Sequence, residues 1–297
     1  MAPDIVAGTL MNHNQQNSAE IALSIVRYGD VDIVEQFVAT INRSPFRELV
    51  ALAVADNGPG SDSVLRDLYE SGAIDHLLEA RHNPGYFPSA FEGLRDITTD
   101  ETKWAVITNP DVELNLEKML SVLQSISPDE AVVIAPNVFD LMSSLRDNPH
   151  ILRRPSLRWF LSRALIHSMY FTHVVLVMVH EKRQRHAARS KKRTFAAPVG
   201  TNMYAPIGTI VALSRPALDI LMSSADGSQA ILYAEEIWLG EECLRLDIPI
   251  RYQPDWDVIH ASHAVTGKLS TKARQLLWRR AALRSLQLRL RRKARVS

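Results

Sequence analysis

Five polar clusters in this 297-residue sequence carry side chains able to do chemistry, and each sits beside an apolar run. Asp56-Asn57-Gly58 ends the run Leu49–Ala55. Its carboxylate can accept hydrogen bonds from the base or ribose of a nucleotide, although Asp-Asn-Gly is equally ordinary turn chemistry. Asn83-Pro84-Gly85 permits close backbone approach to a ligand, and is also a turn signal. Asn109-Pro110-Asp111 follows Trp104–Thr108. An aspartate there can be a hard oxygen ligand for a divalent cation, or a helix N-terminal turn residue. Glu235 and Glu236 are adjacent carboxylates, one of which can take a proton from an attacking hydroxyl. The competing reading is a solvated acidic helix start that continues at Glu241 and Glu242. His260 ends the run Asp257–His260 with His263 close by, and a neutral imidazole suits Mn²⁺ better than Mg²⁺.

The elements that must position these groups follow from periodicity. Residues 1–19 are polar, rich in Asn and Gln and without apolar period, which predicts a disordered N-terminus. Short apolar runs at Ile21–Val26, Leu49–Ala55, Trp104–Thr108 and Ala131–Ala135 have strand length, the last ending at Pro136. Between them Val31, Val34, Phe37 and Ile41 repeat at helical spacing until Pro45, and Leu116, Met119, Leu120 and Leu123 do the same. Ser61 or Ser63 can cap the helix that carries Leu65 and Leu68. Strands alternating with helices, each strand ending in polar or Gly/Pro residues, predict an α/β fold with a mostly parallel, Rossmann-like sheet flanked by helices. Ligands of such sheets bind at the carboxyl ends of the strands, where the clusters lie. Strand character returns at Ile207–Leu213.

Composition narrows the classes. A 46% hydrophobic and 23% charged content is that of a globular chain, which excludes disorder over most of the length. The net charge of +1 hides an asymmetry: no acidic residue follows Asp257, while eleven Lys and Arg do. A basic end of this kind predicts an anionic partner. If residues 266–297 form a helix, Leu276, Leu283, Leu286 and Leu290 fall on one side with Arg280, Arg284 and Arg291 beside them. That pattern predicts an interfacial helix on an anionic membrane surface. Nucleic-acid binding lacks interleaved aromatics or a recognised module. The basic run Lys182–Arg193 reads as a surface loop. Leu161–Val179, interrupted by Arg163, His167 and His173, makes a poor membrane span and a fair interfacial or buried helix. The lone Cys243 fits a reducing compartment, and the N-terminal sequence has no signal-peptide pattern, so a cytoplasmic protein is expected. No Walker, Gly-x-Ser-x-Gly or Cys-x-x-Cys sequence is present, which leaves P-loop kinases, serine hydrolases and zinc sites unsupported. The sequence carries no signal for oligomeric state.

Taken in order, Asp56-Asn-Gly, Asn83-x-Gly85 with Ala90 and Gly93, Asn109-Pro-Asp111, Tyr233-Ala-Glu-Glu236 and Val258-Ile-His260 resemble the inverting glycosyltransferases of family 2, especially the rhamnosyltransferase-like branch. The resemblance covers the stretch 20–265 and implies a GT-A fold with the C-terminal basic helix as an extension. It implies that Asp56, Asn83, Gly85 and Asn109 contact a nucleotide diphosphate sugar donor and that Asp111, joined by His260, holds Mg²⁺ or Mn²⁺. Glu236 stands where the family has its catalytic Asp, with Glu235 beside it. The implied donor is dTDP-rhamnose first and a UDP-sugar next, and the implied acceptor a polysaccharide or lipid-linked glycan. Phe91, Glu236 and Trp238 depart from the family pattern, which motivates an alternative: a non-catalytic relative that binds nucleotide-sugar or glycan.

Overall fold

The apolar runs become strands because nearly every residue in them is sealed from water. A computed structural model describes residues 10–11, 19–58, 63–80, 83–189, 197–224, 234–261 and 270–291. Ser61, Tyr233, His263 and the basic residues 191–193 lie outside them, as do 1–9 and 12–18 of the N-terminal segment. The chain divides into two compact units, Met1–Ala131 with Thr209–Gln229, and Val132–Gly208 with Ala230–Ser297. Elements are numbered in chain order through both.

In the first unit Leu10–Met11 (β1), Ile21–Arg27 (β2), Val50–Asp56 (β3), His76–Glu79 (β4), Trp104–Thr108 (β5) and Ile210–Ser214 (β10) pair in the order β1-β4-β3-β2-β5-β10. The four central strands β4, β3, β2 and β5 are parallel, and β1 and β10 run antiparallel at the two ends of this row. Both β2 and β3 are buried along all seven residues, the pattern of strands covered on both faces. Helix Val31–Asn42 (α1) buries Val34, Phe37, Val38 and Ile41, the spacing read from the sequence. Helix Tyr86–Ile97 (α3) packs so closely on the sheet that a Cβ on Gly93 would lie 3.1 Å from Ser24 Oγ and 3.3 Å from Ala53 Cβ. Gly93, singled out with the donor motif, therefore serves helix–sheet packing. Helix Leu116–Gln124 (α4) is capped by the Asn115 side chain, which accepts from Lys118 N–H at 3.0 Å.

Register then sets the functional edge of this unit. Pairing places Arg27 opposite Asp56, Asp56 opposite Glu79 and Ile25 opposite Thr108. The carboxyl ends of the parallel strands thus stand together, with Asp56 and, one residue beyond β5, Asn109 on one edge.

The second unit is built on two parallel strands, Val133–Asp140 (β7) and Ile250–His260 (β11), with Leu145–Arg146 (β8) antiparallel to β7 and Asn202–Met203 (β9) antiparallel to β11. Pro136 does not end β7 as the sequence suggested. It lies opposite Gln253, at the point where β11 bulges by three residues, Pro254 to Trp256, before Asp257 resumes pairing with Asn137. A proline is tolerated where the ladder is already interrupted. The indole of Trp256, fully buried, anchors the bulge in the core.

Three helices complete this unit's special character. Leu157–Ser168 (α5), capped by Ser156, and Tyr170–Arg189 (α6) meet at 112°, measured to Val179. The first part of the basic run, Lys182–Arg189, is helical and not a loop. Thr271–Leu290 (α9), capped by Ser270, packs beside α5: Gln275 Nε2 donates to His167 O at 2.6 Å and Trp278 stacks on His167 at 5.4 Å. The expected leucine face is divided. Leu286 turns inward against the Phe160, Tyr204 and Ile237 cluster, whereas Leu276, Leu283 and Leu290 are exposed.

Candidate active site

The densest group of metal-ligating side chains among the described residues is Asp140, Asp147 and His260, each offering one ligand atom within 4.8 Å of the others. The parallel register puts Asp140 directly opposite His260 at the ends of β7 and β11, their Oδ2 and Nδ1 atoms 3.6 Å apart. The chain then reverses through β8, where Ser143 N–H donates to Asp140 Oδ1 at 2.5 Å, and Asp147 N–H returns to Val138 O at 2.8 Å. That hairpin delivers the second carboxylate. Asn148 locks the return: its Nδ2 donates to Pro136 O at 2.8 Å and its Oδ1 accepts from Ile207 N–H at 2.9 Å.

Two carboxylates and an imidazole share this cluster. Burial pushes the Asp147 carboxyl up to about 6, and the Asp140 charge adds to the shift against the opposing pull of His150 and His260. Two carboxylate oxygens and one imidazole nitrogen converge, with Asp140 buried and the other two half-buried. The donor set fits Mn²⁺ or Mg²⁺ completed by phosphate or water oxygens, the imidazole favouring Mn²⁺. Sequence reading found His260 and missed both aspartates. Asp140 carries the same signal as Asp56, a carboxylate closing an apolar strand, but Pro136 concealed the strand.

The glutamate pair opens helix Glu235–Leu246 (α8) in the same unit. Both side chains are half-buried, and Glu235 Oε2 accepts from the Ala234 N–H at 2.8 Å. Burial raises the Glu235 carboxyl to about 8, with the Glu236 charge adding to it. Near neutrality Glu235 thus holds its proton. Gly208 fits against both: a Cβ there would lie 3.2 Å from Glu235 Cγ and 3.3 Å from Glu236 Oε1. Since Ile207 is hydrogen-bonded to Asn148, the carboxylate pair and the Asp140–Asp147–His260 group are braced by one short relay of contacts.

The rest of α8 departs from a solvated acidic helix. Glu241 is buried, accepting from Arg154 Nε at 2.9 Å and from Tyr204 OH at 2.8 Å, and Glu242 is buried beside Arg245 at 2.6 Å. Trp238 is entirely buried, and Phe91 stacks on Phe87 at 5.8 Å. The departures at these two positions are filled by core packing. Burial also pushes the Cys243 thiol well above its usual range, leaving it inert as a nucleophile.

On the strand edge of the first unit Asp56 is nearly sealed from water. Arg27 Nη1 reaches its two oxygens at 2.9 and 3.1 Å, and Gly58 N–H donates at 2.9 Å. Asn57 ties this end to the next: its Nδ2 lies 3.3 Å from Asn83 Oδ1, and Ser89 Oγ is 2.9 Å from Asn57 Oδ1. Asn83 Oδ1 also accepts from Gly85 N–H at 2.9 Å, and Gly85 has φ 116°, a conformation that requires glycine. Asn109, half-buried, donates its N–H to Thr209 O at 2.9 Å, and the half-buried Asp111 follows two residues on. The structure thus gathers Asp56, Asn83, Gly85 and Asn109 on one edge of the first unit, which also holds Asp111, while His260 belongs to the second unit with Asp140 and Asp147.

No protein-family model and no curated protein matches the chain. Among solved structures it is similar to GalNAc-T7, in a crystal structure with UDP, GalNAc and Mn²⁺, with a TM-score of 0.53 and 12% identity over 81% of this chain and 43% of that one. A mannosyltransferase, PcManGT from Pyrobaculum calidifontis in complex with GDP-Man and Mn²⁺, aligns with a TM-score of 0.49 and 14% identity over 91% of this chain and 70% of that one. This chain therefore spans less than half the length of the GalNAc-T7 chain. The first likeness establishes the fold expected from the sequence, a GT-A-type α/β arrangement.

Proposed function

We propose that this chain is a metal-dependent glycosyltransferase that moves a sugar from a nucleotide diphosphate donor to a glycan acceptor. The observation that carries the reading is the placement, in one unit of a GT-A-type fold, of a three-ligand cation site and a half-buried carboxylate pair braced against it through Asn148 and Ile207. A divalent ion held by Asp140, Asp147 and His260 would neutralise the charge of the departing diphosphate. Glu236, beside a Glu235 that keeps its proton, takes the proton from the attacking acceptor hydroxyl in a single, inverting displacement. Asp56, Asn83, Gly85 and Asn109 line the edge assigned to the nucleotide. The Asp56 carboxylate meets it already paired with Arg27, so a base or ribose would be read by an ion pair and not by a lone carboxylate. The motif order supports dTDP-rhamnose as the first donor to test and a UDP-sugar as the next. The acceptor would be a polysaccharide or lipid-linked glycan handled on the cytoplasmic side of a membrane.

Calorimetric titration with dTDP and UDP, with and without Mn²⁺, followed by a donor-hydrolysis assay, tests this. Nucleotide binding that requires Mn²⁺ and is lost in Asp140→Asn is expected, as is Glu236→Gln protein that binds but does not turn over. Metal-independent binding, or full activity in Glu236→Gln, overturns the respective assignment. Asp111→Asn tests the motif-based ligand separately: unchanged Mn²⁺ affinity removes Asp111 from the metal. The second reading, a binding module without catalysis, draws on Phe91 and Trp238 being absorbed into the core. Binding without any turnover would favour it.

A further inference from the structure

Helices α5 and α6 bury one side of their elbow and leave the other bare. On the inner side Gln275 and Trp278 of α9 cover His167, and the guanidinium of Arg163 sits 4.9 Å over Trp159 and 5.4 Å over Trp278. The outer side of α5 presents Leu157, Leu161 and Leu165, spaced four apart and all exposed. Past the corner α6 presents Phe171, Val175 and Met178, again on one face and exposed. These are not marginal exposures: Phe171 is 77%, Leu165 64% and Met178 64% accessible. Exposed apolar stripes of this kind, one on each arm, mark an interaction site.

Charge identifies the partner. Helices α5, α6 and α9 together carry twelve Lys and Arg against one carboxylate, Glu181. No acidic residue occurs from Ile151 to Val179, and none in α9. The exposed leucines of α9, at 276, 283 and 290, recur every seven residues with Arg279 and Arg280 between them. A second copy of this chain would bring like charges together across the ridge. An anionic bilayer meets both requirements, accepting the apolar crest at its acyl boundary and the cations at its headgroups. No single helix among the described residues is long and apolar enough to cross a membrane, and the two arms bend by 112°. We propose that the outer faces of the α5–α6 elbow insert into the headgroup–acyl boundary of an anionic membrane, with the exposed Arg158, Lys182, Lys272, Arg279 and Arg280 supplying the electrostatic attraction. The elbow thereby replaces the C-terminal helix alone as the membrane-directed element.

This inference does not depend on sugar transfer, and its test reads no activity. The full chain is floated with vesicles of phosphatidylcholine alone and of phosphatidylcholine mixed with phosphatidylglycerol, at low and high salt. Binding to the anionic vesicles, weakened by salt, is expected. Phe171→Glu and Leu165→Glu, on different arms, should each lower the partition coefficient by about tenfold or more while circular dichroism stays unchanged. Brominated acyl chains should quench the tryptophan emission of the wild type and not that of Phe171→Glu. Failure to bind anionic vesicles overturns the proposal, as does undiminished binding by both folded variants. Self-association abolished by Phe171→Glu, without vesicle binding, overturns it in favour of a second copy.

Discussion

Replacing Asp147 by Asn should make the metal-free protein more stable and the metal-loaded protein less so. The sign comes from the ionisation of Asp147. Its carboxyl is raised from 3.8 to about 6 in the folded chain, so between those values the folded state holds a proton that the unfolded state has lost. Stability is then fully present below 3.8 and is lost as pH rises through 6. A shift of about two units corresponds to roughly 3 kcal/mol at pH 7.5, an upper figure because the group is half-buried. Asparagine keeps the shape without the charge. In EDTA at pH 7.5 the Asp147→Asn protein should melt on the order of 5 °C above wild type, and the gap should close at pH 3.8. Mn²⁺ reverses the order. At a hundredfold excess over its dissociation constant a ligand adds about 2.7 kcal/mol to the protein that binds it, and the variant has lost one of three ligands. Thermal melts of both proteins in EDTA and in Mn²⁺ would show the crossing. Equal melting temperatures in EDTA together with equal gains from Mn²⁺ would refute the cation site.

Three further outcomes are expected. Gly208→Ala places a methyl 3.3 Å from Glu236 Oε1 and should lower turnover by about tenfold with little change in melting temperature; unchanged turnover would remove Glu236 from the chemistry. Arg27→Leu leaves the Asp56 carboxylate buried without its cation and should cost about 3–5 kcal/mol in urea unfolding, a loss that Asp56→Asn in the same chain should partly restore. Glu235 is raised from 4.5 to about 8, so wild-type stability should fall as pH climbs through that interval while Glu235→Gln stays flat. Parallel unfolding curves for the two at pH 6 and 9 would show that Glu235 is not held protonated.

Strands β2, β3 and β5 were legible in the sequence because each is a continuous apolar run closed by polar residues, a local signal that survives without tertiary knowledge. His260 was legible for the same reason. Asp140 and Asp147 were not, because they meet His260 only through the β7–β11 register and the β8 reversal, contacts between residues more than a hundred positions apart. The ion pair of Arg27 with Asp56 was hidden likewise, since nothing near Arg27 in the sequence announces the strand beside it. In α9 the leucine period was real, but periodicity cannot say which leucines a neighbouring helix will cover, and Leu286 went inward. Glu241 read as solvated because its cation, Arg154, comes from a distant segment.

The Pro254–Trp256 insertion in β11 acts as a ratchet on chemistry. With it, Asp140 faces His260; threaded straight through, the same two strands would set Asp257 opposite Asp140 and carry the imidazole beyond the end of β7. Two carboxylates side by side would bind hard cations indiscriminately, whereas a carboxylate and an imidazole lean toward manganese. A change of three residues in strand length, with no side chain substituted, would thus exchange an imidazole for a carboxylate opposite Asp140.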